Sequence, residues 1–145
     1  FLQAGLGKLL GGGFSAAGYL LNAPQANGSP LAGLFVTMAQ TPWFLDFVNI
    51  AVPFGQVAIG LGLLVGCLTR LAAFWGAFMM ALFYFANWDI AHGYINGDFA
   101  YMLVFLSVAA FGAGRVLGLD RFIESYRIEG TTLTDRYPWT RYLLG

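Results

Sequence analysis

Apolar residues in this chain fall into long runs, and polar residues gather in the gaps between them. The run over 42–68 is long enough to cross a hydrocarbon core of about 30 Å with some tilt. Residues 71–88 and 99–119 read as the next two spans. Residues 1–10 are helical in composition but would reach only about 15 Å, half of such a core. They predict a first span that is truncated in this chain, with a cleaved signal peptide as the alternative. Gly11, Gly12 and Gly13 end that segment. Residues 14–22 form a short amphipathic piece, 24–30 a loop, and 31–40 another short apolar helix expected in the interface. Asn27-Gly28-Ser29 has the form of a glycosylation acceptor, but Pro30 follows it.

Within 42–68, Thr41 reads as the N-cap and Pro42 as the first helical residue. Asp46, Asn49, Pro53 and Gln56 fall at i, i+3, i+7 and i+10, a polar stripe down one face with a kink expected at Pro53. Gly55, Gly60, Gly62 and Gly66 offer small surfaces for close helix contact, as do Gly112, Gly114 and Gly118 later. Past 119 the character changes. Leu119, Phe122, Ile123 and Tyr126 make an apolar stripe beside Arg121, Glu124 and Arg127, the pattern of an amphipathic helix on a membrane surface. Nothing alternates with the period of a strand, and only helices satisfy their own backbone in lipid at these lengths. The fold expected is all-α: an integral membrane four-helix bundle with short interfacial helices between spans one and two. Residues 1–119 would form the membrane domain and 120–145 an interfacial tail.

Composition agrees. The chain is 59% hydrophobic and 10% charged, with a mean hydropathy of +0.70, whereas a soluble domain carries about 25% charged residues. The expected partners are the lipid bilayer and other membrane subunits or a second copy. A net charge of zero gives no pull toward nucleic acid. The single cysteine, Cys67, excludes an intrachain disulfide, a CxxC redox motif and a cysteine metal cage. No nucleotide loop or haem attachment motif is present, so no nucleotide or metal cofactor is expected. Arg70 and the arginines from Arg115 onward sit on one side, while the 11–41 and 89–97 connections carry no Lys or Arg. The positive-inside rule then puts both termini in the cytoplasm.

Candidate chemistry concentrates in 84–98, which holds the only histidine and two of the seven acids. A helix running past Asp89 would put Asp89, His92 and Asn96 on one face. An imidazole changes charge near neutrality, so His92 is a candidate proton carrier oriented by Asp89. Lys8 is costly inside a bilayer; it marks a site, snorkels to the interface or pairs with an acid. Asp46 also suits the start of its helix, and Asp98 an N-cap. The candidate catalytic set is Lys8, Asp89 and His92, with Asp46, Asn49, Gln56 and Asp98 binding substrate. Lys8 is expected to pair with Asp46, Asp89 or Asp98, with His92 lining the same pocket.

Three segments carry a family resemblance: Gly5-Leu6-Gly7-Lys8-Leu9, residues 53–66 with Thr69-Arg70-Leu71, and residues 112–120. Together they resemble the DoxX family of small four-helix membrane proteins. The resemblance implies a membrane location and, through members that are subunits of a thiosulfate:quinone oxidoreductase, a quinone-linked reaction. Quinone is the cofactor it admits. Other members are attached to thiol-redox or oxidative-stress systems or have no assigned role. The alternative is a structural or assembly subunit, its Gly-rich helix faces packed on partner helices and its polar residues paired with one another. Gln56 stands where the family often has a glutamate, and a mechanism needing a proton-carrying acid there lacks it.

Overall fold

The structure, a computed structural model, describes residues 1–128 and 130–145, and for Ile128 the backbone alone. Helices dominate: α1 Leu2–Leu10, α2 Ala17–Ala26, α3 Ala32–Gln40, α4 Pro42–Val65, α5 Thr69–Ala86, α6 Gly97–Phe111, α7 Gly114–Leu117, α8 Asp120–Ser125 and α9 Leu133–Arg136. A two-residue antiparallel ladder, β1 Arg127–Ile128 and β2 Thr131–Thr132, and a final 3-10 turn at Pro138–Tyr142 complete the tail.

Among the described residues, two helices are long and apolar enough to cross a membrane, α4 and α5. Their most apolar windows are only 17% and 33% buried, so large apolar side chains such as Phe47, Phe54, Leu64 and Phe78 face outward. A core helix of a soluble protein would hide them. The third expected span is shorter than the run at 99–119. Gly112 adopts φ 61 and closes α6 as a left-handed C-cap after 15 residues, about 22 Å.

α1 lies against α4, α4 against α5, and α5 against α6. The Phe1 ring meets Phe105 of α6 edge-on at 4.8 Å, which closes the row. Without a side chain on Gly5 or Gly60, α1 and α4 approach until a Cβ there would touch Pro53 O or Leu2 at under 3 Å. Gly76 does the same for α5 against the Phe105 ring. Ile59, Ala73, Ala77, Met80 and Phe105 form the core of this group. A second core, of Ala16, Leu20, Phe35, Ala39 and Ala86, seats α2 and α3 over the start of α4 and the end of α5.

Several local expectations shift. Pro24 lies inside α2, fully buried, so the loop begins at Asn27; its burial outweighs the helical hydrogen bond it cannot donate. Thr41 flanks α4, but its hydroxyl donates backward to Thr37 O at 2.8 Å and caps nothing. The N-cap of α6 is Asn96, whose Oδ1 accepts from Phe99 N at 2.9 Å, and Asp98 sits in the first turn beyond it. The amphipathic tail helix is six residues long. Phe122 and Tyr126 stay exposed on the described surface.

Candidate functional site

α4 and α5 diverge along a groove of about 1170 Å3 whose walls come mainly from apolar side chains of the two helices. The bulky Phe44, Met79 and Phe83 are among the side chains that line it. The polar side chains on its lining include Lys8, Tyr19, Gln56 and Asn87, and Cys67 adds a thiol.

Lys8 is half-buried. Its ammonium donates to Gln56 Oε1 at 3.0 Å and to Ala4 O at 3.4 Å, and lies 5.6 Å from the centre of the Phe14 ring. Among the described residues it makes no ion pair with Asp46, Asp89 or Asp98, contrary to expectation. The reason is directional. Helical side chains lean toward their own N-terminus. α1 runs antiparallel to α4, with Leu2 at Gly60 and Gly5 at Pro53. Lys8 therefore reaches back along α1 toward Ala4, away from the end of the bundle where the acids lie. The polar partner within reach on that side is Gln56, buried on the inner face of α4.

The other candidates separate. Asn49 Oδ1 accepts from Ala16 N at 2.8 Å and so anchors the start of α2. Asp46 is exposed. α5 ends at Ala86, so Asp89, His92 and Asn96 share no helical face. Asp89 and His92 still meet, with His92 Nδ1 2.8 Å from Asp89 Oδ2, on an exposed loop outside the groove. The hydrogen bond from His92 holds the Asp89 carboxyl below its ordinary value. His92 therefore does not line the pocket with Lys8.

Two groove residues escaped the sequence reading. Tyr19 donates its hydroxyl to Asn87 Oδ1 at 2.7 Å, and Asn87 Nδ2 donates to Asp98 Oδ2 at 2.8 Å. Burial, then the charge of Asp98, pushes the Tyr19 phenol up to about 12, with the Asn87 bond working the other way. Tyr19 thus remains a donor at any physiological pH. Asn87 at the end of an apolar helix was the available signal; Tyr19 gave none, because its partner lies 68 residues away.

A third missed residue lies at the opposite end. Asp120 is fully buried. Its Oδ1 accepts from Leu68 N at 2.7 Å, and its Oδ2 from Thr69 N at 2.8 Å and Gly145 N at 3.0 Å. It caps α5 from outside the helix and holds Leu68 at its strained φ of 51.

Compared with family models, curated proteins and solved structures, the chain matches none. Among the described residues no group of three or more His, Cys, Asp or Glu side chains converges as a metal site.

Proposed function

We propose that this chain is a multi-pass membrane protein that admits a long apolar molecule from the bilayer into the α4–α5 groove. It would serve as a small membrane subunit of a quinone-linked redox system, as the DoxX-like segments suggest. The observation carrying this reading is the groove itself: about 1170 Å3, apolar along its length, with Lys8 and Gln56 side by side on its wall. That volume exceeds the 300–1,000 Å3 typical of compact ligands and suits an isoprenoid chain with one polar head. The Lys8 ammonium offers a donor to a head-group carbonyl. The largely exposed apolar faces of α4 and α5 support insertion in lipid, with α1 and α6 completing a four-helix membrane unit. The arginine distribution supports termini in the cytoplasm.

A second reading, a non-catalytic assembly subunit, is favoured by one feature. Among the described residues no carboxylate lines the groove, so proton-coupled chemistry there would draw on Lys8, Tyr19 and Cys67. Purified protein extracted with organic solvent separates the two. Near-stoichiometric quinone, lost in Lys8→Met with helix content intact, supports the redox subunit. Absence of quinone with stoichiometric retention of a larger complex supports assembly instead. Orientation is tested by cysteine at exposed Gln25 or Ser125 in a Cys67→Ala background. An impermeant thiol reagent on intact cells should label the first and spare the second; the reverse pattern inverts the topology.

A further inference from the structure

The tail carries a surface that the groove does not use. Six of the seven basic residues, all arginines, lie at Arg70 or from Arg115 onward. Three are engaged. Arg70 donates to Ala109 O and Arg141 O, Arg115 pairs with Glu124 at 2.7 Å, and Arg141 with Asp135 at 2.8 Å. Among the described residues, the nearby acids Glu124 and Asp135 are occupied by these contacts, and Asp120 is buried under three N–H donors. Arg121 and Arg127 are exposed, and among the described residues their side chains have neither a hydrogen bond nor an ion pair. Next to them in the chain, Phe122 and Tyr126 are 68% and 66% exposed and line, with Ile123 and Leu133, an apolar notch of about 340 Å3.

Open aromatic surface, with two exposed arginines adjacent in the chain that are unpaired among the described residues, suits neither water nor hydrocarbon alone. It matches the boundary between the two, where a phosphate is within reach of a guanidinium and an acyl chain within reach of the notch. We propose that the face formed by Arg121, Phe122, Tyr126, Arg127 and Leu133 binds an anionic phospholipid, its phosphate on the two arginines and its upper acyl chain against the notch. This rests on the membrane reading above. An anionic lipid is favoured over a zwitterionic one because the exposed arginines offer positive charge and the described carboxylates around the face, Glu124, Asp135 and Asp120, are already paired or buried.

The test uses the full chain purified in mild detergent, offered equal phosphatidylglycerol and phosphatidylcholine and weighed intact by native mass spectrometry. Wild type should retain phosphatidylglycerol preferentially. R121Q/R127Q should lower that retention about thirtyfold, which is about 2 kcal/mol at about 1.4 kcal/mol per factor of ten, with helix content unchanged. Phe122→Ser should weaken both lipids. Equal retention of the two lipids by wild type, or no effect of the double arginine variant, overturns the proposal. So does displacement of phosphatidylglycerol by millimolar inorganic phosphate, which would make this a free-phosphate site. Carbonate washing of cell membranes keeps the two readings apart. Wild type released into the supernatant sinks the membrane reading and this one with it. Wild type kept in the pellet without a lipid preference sinks this one only.

Discussion

Removing the Asp120 carboxylate should be the most damaging single change in the tail. Asp120→Ala strands three backbone donors, at Leu68, Thr69 and Gly145. Each buried donor left unsatisfied costs about 1–3 kcal/mol, and a bond to a charged acceptor contributes about 1.5–3 kcal/mol. The start of α5 also loses a favourable negative charge, worth about 0.3–1 kcal/mol. These terms overlap, because water can enter once the side chain is gone. Counting the donor and bond terms once, the expected loss lies near the lower end of the donor and charge terms together, about 4 kcal/mol. Asp120→Asn keeps one acceptor oxygen and turns its amide N–H groups toward a donor, so about 2 kcal/mol is expected. Equilibrium unfolding in mixed SDS and mild-detergent micelles, followed by helical ellipticity, measures both. Hydrogen exchange supplies the local readout: the Leu68 and Thr69 amides should exchange at least a hundredfold faster in Asp120→Ala. A loss under about 0.5 kcal/mol, or unchanged exchange at those amides, would refute the idea that this carboxylate ties the tail to α5.

Gln56→Glu should convert the Lys8 contact into an ion pair and raise stability in the same unfolding assay, whereas Gln56→Leu should lower it by about 1–3 kcal/mol by depriving the ammonium of its acceptor. Gly76→Val would drive methyl groups into the Phe105 ring and cost about 2 kcal/mol by overpacking, a loss that Phe105→Ala in the same chain should partly relieve. The Asp89 carboxyl should titrate by NMR below its ordinary 3.8, and His92→Ala should bring it back. Because the folded value is the lower one, this small contribution is complete at neutral pH and disappears as pH falls through the folded value.

The residue pattern by itself determined the helical class, the apolar stretches that became α1, α3, α4, α5 and α6, and the change of character at the tail. Those properties are local. Backbone hydrogen bonds close within a helix, and a run of apolar side chains declares its environment wherever it packs. Gly60 was legible as a contact point for the same reason, since the absence of a Cβ is written in the sequence, whereas Gly5 and Gly76 became contact points only through the packing of α1 on α4 and of α5 on Phe105. What the sequence left open was which way each polar group would reach. Lys8 could be placed near the C-terminal end of α1, but its partner depended on the antiparallel setting of α1 on α4 and on the backward lean of helical side chains. Those two facts together exchanged an acid for Gln56. Tyr19, Asn87 and Asp98 became one hydrogen-bonded chain only when α2 folded over the end of α5. Asp120 became a cap only when the tail turned back on the start of that helix. A polar side chain has a reach of a few ångströms, so its partner is decided by which distant backbone the packing brings within that radius.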